Sequence, residues 1–219
     1  MAKILLQPEK YYHLYNRANG SDNLFVNKGN YEFFLQRYQS HISPIAETLA
    51  YCLMPNHFHL VIKIRTEAEL KKRDQEKKYK KALAGKAVKS TSDKEVAFDS
   101  SRFISQQFSN LFTSYAQAFN KQQGRHGSLF SPNFERKEIN SDQYLRQSIL
   151  YVHLNPVHHK FVHVVSSWEH SSYNGIVSRK SELVKANEVI DLFEDLDNFR
   201  DLHSDFQSHA NLDIERFFL

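Results

Sequence analysis

Residues 50–63, with the sequence AYCLMPNHFHLVIK, contain two β-like runs separated by a turn. The first run extends from residue 45 to about residue 53, and the second covers residues 57–64. Pro55-Asn56 lies between them, and this dipeptide favours a turn or a break. Strands joined by so short a turn pair as an antiparallel hairpin, so this stretch predicts an antiparallel sheet.

The rest of the chain alternates strand-like and helix-like stretches around this hairpin. The order is a strand at 11–19, a helix capped by Asn30, the two strands above, an insertion at 66–100, a helix at 102–123, a hairpin at 128–139, a helix from Ser141 to about Asn155-Pro156, and one or two acidic helices such as 184–199. Strands joined by hairpins, with helices returning to them, predict an α+β fold with a mainly antiparallel sheet covered on one face.

The composition is that of an ordinary globular chain. With 219 residues, of which 41% are hydrophobic and 25% charged, the chain can bury a core without disulfides. Its one cysteine, Cys52, excludes a disulfide scaffold and a cysteine-based zinc finger. No apolar run approaches the roughly 20 residues that span a bilayer, and the N-terminal stretch MAKILLQPEK is too polar for a secretory signal. We therefore expect a cytoplasmic protein with no membrane partner.

The net charge of +4 hides a strong asymmetry. Residues 188–215 carry nine acids and one base, whereas residues 1–187 carry a net charge of +11. A basic body suggests a polyanionic partner, most often nucleic acid, although a solvated mixed-charge surface is the alternative. The 66–100 insertion is rich in lysine, and we expect either a solvated helix followed by a flexible segment or a largely disordered stretch. Its charge could contact phosphates, and a merely solvated loop is the alternative.

His57 and His59 form the first candidate site. Residues i and i+2 of a strand project from the same face, so both imidazoles point the same way while Phe58 enters the opposite layer. Two converging imidazoles can hold a divalent cation. A His-x-His pair is a weak signal by itself in a chain with 12 histidines, so two ordinary surface histidines are the alternative.

Tyr151 and Asn155 form the second candidate, because their i,i+4 spacing puts them on one helical face. A tyrosine, with a pKa of about 10, is a poor nucleophile unless a divalent cation lies beside it. The Asn155 carbonyl oxygen is a fair ligand for a hard metal such as Mg²⁺, although Pro156 is expected to place Asn155 in a loosened last turn. An amphipathic helix with a tyrosine at its rim is the alternative.

Rivals exist for both roles. Tyr144 lies seven residues before Tyr151 and therefore shares its helical face. His158, His159 and His163 form a rival metal cluster, which we interpret as phosphate-contacting or surface residues because no fourth ligand accompanies them.

Residues 50–63 resemble the HUH segment of the REP-associated tyrosine transposases, relatives of the single-tyrosine insertion-sequence transposases. Further matches follow in the family's order: Asn16-Arg17, Tyr115, Phe119-Asn120, 127–130, 134–136, Tyr144-Leu145, 151–157 and 168–173. The resemblance covers roughly residues 11–176. The insertion at 66–100 is long for the family, and the acidic tail after about Val177 lies beyond the matched region.

The resemblance implies roles for individual residues. His57 and His59 match the metal-binding histidine pair, Tyr151 matches the nucleophile, and Asn155 matches the polar residue that completes the metal site. The implied fold is a ferredoxin-like α+β sandwich with helices on one face and a C-terminal helical extension. We accordingly divide the chain into a catalytic domain at 1–177, which contains the insertion, and an acidic extension at 178–219.

The implied activity is that of a transposase acting in DNA transposition and recombination. A divalent metal, Mg²⁺ or Mn²⁺, would assist attack by Tyr151 on single-stranded or hairpin DNA and give a 5′-phosphotyrosine. Arg17, Arg125, Arg136 and Lys137 are the expected phosphate contacts, and Phe130 is expected to stack on a base. A homodimer is possible, because the tyrosine helix could complete its own site or that of a partner.

Two other functions fit the same residues. The first is a domesticated, non-catalytic protein that binds DNA or RNA hairpins. Such a protein would need neither a nucleophile nor a metal site, so the presence of His57, His59 and Tyr151 argues against it. A hydrolytic phosphodiesterase using metal-bound water would leave free 5′-phosphates and form no protein–DNA adduct.

Overall fold

The fold is built on a four-stranded antiparallel sheet, and the computed structural model describes residues 4–84 and 97–208. The strands are β1 (Tyr11–Arg17), β2 (Ala46–Met54), β3 (His57–Ile64) and β4 (Glu135–Ile139), in the spatial order β2-β3-β1-β4. The α+β class and the antiparallel sheet are confirmed. The predicted β2–β3 hairpin is present, with β2 one residue longer than expected at its C-terminal end.

The predicted hairpin at 128–139 is wrong. Only β4 is a strand there, and it pairs with β1, while Phe130 makes an isolated bridge to Ala18 just beyond the end of β1. Pro132 has no N–H to donate and Asn133 adopts a positive φ of 61°, so the chain breaks at this dipeptide. The segments before and after this dipeptide therefore pair with β1 and the residue that follows it, and not with each other.

Within the described residues, seven α-helices connect and flank the strands. They are α1 (Lys28–His41), α2 (Glu67–Leu83), α3 (Ser100–Gln123), α4 (Asp142–His158), α5 (Tyr173–Ser178), α6 (Ala186–Leu192) and α7 (Leu196–Ser208). Asn27, rather than Asn30, caps α1, and a Thr66–Glu69 capping box begins α2. The predicted solvated helix in the insertion is thus α2, while residues 85–96, where a flexible segment was expected, lie outside the described residues. None of the described helices is long and apolar enough to cross a membrane.

Helices cover both faces of the sheet. Apart from the insertion helix α2, the order β1-α1-β2-β3-α3-β4 is ferredoxin-like, and α1 and α3 cover one face, as predicted. The opposite face, which was expected to be uncovered, packs against α4 through residues such as Val61 and Ile149. The reason is visible in the central strand β3, whose continuous apolar stretch Leu60–Ile62 is buried on both sides.

The helix α4 carries the candidate nucleophile and continues further than expected. Ser141 caps it as predicted, with its side chain accepting the Tyr144 N–H at 3.2 Å. The helix does not end at Asn155-Pro156 but reaches His158, with Pro156 in its last turn. Pro156 forfeits one hydrogen bond, but the Asn155 carbonyl still accepts the His159 N–H at 3.0 Å. Asn155 is consequently held in regular helix and almost fully buried.

The acidic segment packs against α4. Phe193 and Phe199 are fully buried in the same hydrophobic cluster as Ile149 and Val152 of α4. The acidic helices expected around 184–199 are therefore α6 and the first part of α7, whereas residues 209–219 lie outside the described residues.

A buried chain of hydrogen bonds joins α7 to α4 and β2. His203 Nδ1 donates to the Phe199 carbonyl at 2.6 Å, so the neutral ring accepts at Nε2 from His153 Nδ1 at 2.9 Å. His153 Nε2 then accepts from the Ser172 hydroxyl at 2.8 Å, and that hydroxyl accepts the Tyr51 N–H at 2.9 Å. When both imidazoles are neutral, each hydrogen bond in this series has one donor and one acceptor.

We expect acid to destabilise the fold through His203. Burial lowers the pKa of His203 from 6.5 to about 4, so the folded state binds this proton less readily than the unfolded chain. The stabilisation is complete above pH 6.5 and is lost as the pH falls toward 4, for a total of about 3 kcal/mol.

Urea denaturation at pH 7.5 and at pH 5 measures this loss in the free energy of unfolding. The matched variant is His203→Gln, which keeps an acceptor for His153 but does not titrate, and it should lose less stability over the same interval. Equal losses in the two proteins would show that His203 does not contribute.

Candidate active site

His57 and His59 on β3 project from the same face of the sheet, as the strand alternation predicted, and α4 lies over this face. Phe58 between them packs into the core on the opposite face. In the antiparallel register Tyr15 of β1 lies opposite His59, and Arg17 lies opposite His57. The two histidines therefore belong to a row of polar side chains that crosses the central strands.

The turn before β3 is fixed by the loop that follows β1. The Asn56 carbonyl accepts the Ala18 N–H at 2.7 Å, and the Pro55 carbonyl accepts the Leu24 N–H at 2.7 Å. These bonds hold the end of β3, and with it His57, against the loop.

Tyr151 lies next to these histidines within the same chain. Its ring centroid is 5.4 Å from that of His59 and 5.6 Å from that of His13, in edge-to-face arrangements. No exchange of helices with a second copy is needed to bring the tyrosine and the histidine pair together.

Asn155 and His57 face each other through two acceptor atoms. His57 Nδ1 lies 2.7 Å from Asn56 Oδ1 and donates to it, which leaves a lone pair on Nε2 of the neutral ring. The Asn155 amide donates to the Tyr151 carbonyl at 3.4 Å, which turns Oδ1 toward His57 Nε2 at 3.3 Å. Two lone pairs directed at each other are a suitable arrangement for a cation.

His13 is a site residue that the sequence analysis missed. Its Nε2 lies 2.9 Å from His59 Nδ1, and the two rings stack with centroids 5.1 Å apart. The sequence feature that could have identified His13 is its spacing of two and four residues from Tyr15 and Arg17, which puts all three on one face of β1. The register between β1 and β3, which one sequence does not reveal, decides that it reaches His59.

Burial keeps these imidazoles neutral at pH 7. It lowers the pKa of His13 to about 3 and places that of His59 well below 6.5. Burial also lowers the pKa of His57, partly offset by the contact with Asn155. Neutral imidazole is the form whose lone pair can bind a metal.

The residues fit a metal site of mixed donors. Within residues 4–84 and 97–208 no group of three or more His, Cys, Asp or Glu side chains converges on one point. The available set is instead two imidazoles and the amide oxygen of Asn155. Imidazole suits first-row transition metals and the amide oxygen suits Mg²⁺ or Mn²⁺, so the donor chemistry fits the divalent ion that the sequence predicted.

Comparison with known proteins points to one group of relatives. The chain is 25% identical over 130 residues to a Haemophilus influenzae protein whose name assigns it provisionally to the REP-associated tyrosine transposases. The match covers 58% of this chain and only 59% of that relative. The fold is similar to the solved structure of a REP-associated tyrosine transposase bound to a REP hairpin, with a TM-score of 0.50 and 15% identity over 85% of this chain and 88% of that one. The predicted family resemblance is confirmed. No protein-family model matches the chain.

A cavity of about 590 Å³ opens beside His57 and His59. Its walls include His57, His59, Tyr15 and Arg17. Arg17 was predicted to contact DNA, and the structure places it at this cavity. Lys137, another predicted contact, lies opposite His13 in the pairing of β1 with β4.

The other predicted DNA-binding residues lie elsewhere. Arg125 forms an ion pair with Asp22 and donates to Asn120 Oδ1 at 2.8 Å, at the C-terminal end of α3. Phe130 is buried in the core, and Arg136 projects to the face of the sheet that α3 covers. The structure therefore does not bring Arg125, Phe130 or Arg136 to the histidine pair.

Two of the rival residues, His159 and Tyr144, also lie near the candidate site. His159, at the end of α4, has its ring centroid 5.1 Å from that of His57. Burial raises the pKa of Tyr15, and the nearby charges of Glu135, Tyr151 and Tyr144 raise it further, so both tyrosines of α4 lie close to Tyr15. Tyr15, Tyr144 and Tyr151 thus form one group of neighbouring tyrosines at the candidate site, and substituting each of them in turn tests which one is the nucleophile.

Proposed function

We propose that the chain is a metal-dependent endonuclease and strand-transferase that acts on single-stranded, hairpin-bearing DNA. The observation that carries this proposal is the position of Tyr151 beside His59 in the same chain, next to the facing acceptors of His57 and Asn155. A nucleophile beside a cation site is the arrangement that phosphodiester transfer requires.

Two further observations support DNA as the substrate. The solved structure to which the fold is similar holds a REP hairpin. The basic body of the chain, with a net charge of +11 over residues 1–187, favours a polyanion. A single or melted strand is the expected form, because a duplex restricts access to its phosphodiesters.

The proposed reaction is a transesterification. The Tyr151 oxygen attacks the scissile phosphorus in line, the bond from phosphorus to the 3′ oxygen breaks, and a 5′-phosphotyrosine forms. The phenolic proton leaves to solvent, and the departing 3′ oxygen takes up a proton. When bound, a divalent ion supplies Lewis-acid stabilisation of the phosphate charge. A free 3′-hydroxyl can later reverse the reaction and join strands without ATP.

The chain's own residues hold this geometry. The rings of His59 and His13 pack edge-to-face against Tyr151 and limit its movement. Arg17 lines the wall of the cavity, and we expect it to pair with a phosphate next to the scissile one.

The test is adduct formation on denaturing gels. The full chain, incubated with Mn²⁺ or Mg²⁺ and a labelled single strand that carries a hairpin, should form a covalent protein–DNA adduct that a chelator prevents. Matched reactions with the same sequence as a perfect duplex should form much less adduct.

Other outcomes separate the alternatives. Cleavage that leaves free 5′-phosphates with no adduct would favour hydrolysis by metal-bound water. Tight hairpin binding with no cleavage under either metal would favour a non-catalytic DNA- or RNA-hairpin-binding protein. A homodimer and a cytoplasmic location remain predictions.

A further inference from the structure

A second cavity, of about 410 Å³, lies on the other face of the sheet between α3 and the edge strand β4. It shares Asn16 and the segment 131–133 with the cavity that contains His57 and His59. The two cavities therefore lie on either side of this segment. A strand bound at the histidines could place a neighbouring nucleotide in the second cavity.

Arg136 in the wall of this cavity is a largely buried charge with one unpaired nitrogen. The residue is 7% exposed, and its Nη2 has no hydrogen-bond partner in the part of the chain that the structure describes. The guanidinium lies over the ring of Phe134, with its carbon 4.2 Å from the centroid. A buried donor on a charged group is expensive to leave unpaired, so a ligand in this cavity that accepts hydrogen bonds from Arg136 would stabilise the guanidinium.

The rest of the wall indicates a flat aromatic ligand. Three phenylalanines line the cavity, with Phe112 and Phe134 only partly buried and their ring centroids 5.5 Å apart. Hydroxyl groups of α3 complete it, from Ser105, Ser109 and Thr113. Phosphate alone would use the guanidinium and the hydroxyls but would gain nothing from the aromatic rings. A nucleobase uses all three, since every base presents a flat face for stacking and polar atoms at its edge.

The guanidinium selects among the bases. Guanine presents two acceptors, O6 and N7, on one edge, which matches the fork of an arginine, whereas adenine presents a donor amino group beside N7. We propose that this cavity binds an unstacked guanine of the single-stranded substrate and that Arg136 determines this specificity. The proposal rests on the proposed function only in taking single-stranded DNA as the ligand.

The test measures binding alone, so that it can fail independently of cleavage. The probes are thymine homopolymers of roughly nine nucleotides, with or without a single central guanine, adenine, hypoxanthine or 7-deazaguanine. Fluorescence anisotropy with the full chain and no divalent metal should show about 5- to 100-fold tighter binding for guanine than for adenine. Hypoxanthine keeps O6 and N7 and should match guanine, whereas 7-deazaguanine, which lacks N7, should bind more weakly.

Arg136→Gln should remove the preference, so that every probe binds like the plain homopolymer. Lys137→Gln, a neighbouring loss of charge on the opposite face of the strand, should weaken all probes equally and keep the preference. Phe134→Leu, which retains an apolar side chain, should weaken guanine binding while Arg136 is intact. Circular dichroism checks that each variant is folded.

Several results would overturn the proposal. They are equal binding of the guanine and adenine probes by the unaltered chain, a guanine preference that survives Arg136→Gln, or displacement of the guanine probe by millimolar inorganic phosphate at constant ionic strength. The last result would identify a phosphate site.

Discussion

Replacing Tyr151 with phenylalanine is expected to lower the rate of covalent adduct formation on the order of a thousandfold or more, because the variant has no oxygen to attack the phosphate. The phenyl ring keeps the edge-to-face contacts with His59 and His13, so the fold and hairpin binding should change little. Adduct formation on denaturing gels and hairpin binding by anisotropy measure the two properties separately. A loss of adduct with intact binding would identify the nucleophile.

The two neighbouring tyrosines supply the matched controls. Tyr15→Phe and Tyr144→Phe each remove one phenolic oxygen from the same cluster and should keep adduct formation within about tenfold of the unaltered chain. Mass spectrometry of the adduct should find the nucleotide on Tyr151. An adduct that persists in Tyr151→Phe, or that maps to Tyr15 or Tyr144, would refute the assignment.

Replacing His13 with leucine is expected to weaken Mn²⁺ binding by about 10- to 100-fold. His13 Nε2 is 2.9 Å from His59 Nδ1, and when it accepts that proton it leaves the lone pair of His59 on Nε2. Leucine has no acceptor, so the His59 ring is no longer held in this tautomer. Calorimetric titration of the full chain with Mn²⁺ measures the affinity.

The tautomer itself provides a second readout. Nitrogen-15 shifts of His59 in the metal-free protein should report a proton on Nδ1 in the unaltered chain and a mixture of tautomers in His13→Leu. His13→Gln, whose side-chain carbonyl can accept the same proton, should restore both the shift and most of the affinity. Unchanged Mn²⁺ binding in His13→Leu, or a proton found on His59 Nε2 in the unaltered chain, would contradict this role.

The candidate pairs could be predicted because their geometry is local. The period of two in a strand places His57 and His59 on one face, and the period of 3.6 in a helix does the same for Tyr151 and Asn155. What joins the two pairs is the packing of α4 on the second face of the sheet, a long-range contact that neither period reveals and that only the family resemblance implied.

The residues that were missed or misplaced depend on register and on partners. His13 reaches His59 only because of the pairing of β1 with β3, and Arg136 turns away from the histidines because it lies opposite Leu14 on the other face. Arg125 is of the residue type expected to contact a phosphate, but its guanidinium forms an ion pair with Asp22, which is more than 100 residues away in sequence. Charge type is visible in a sequence, whereas the partner that neutralises the charge is not.

The anchored turn at Pro55-Asn56 restricts how the length of this chain can vary. Its two carbonyls are bonded to the loop after β1, so an added or deleted residue here would have to slide β3 along β1 by one position. A slip by one residue would turn both imidazoles into the apolar layer under α1 and α3 and bring Phe58 to the cavity. Insertions after β3, where α2 lies, leave this register untouched. Length variation among functional homologues should therefore be found beyond Ile64 and be absent from residues 54–58.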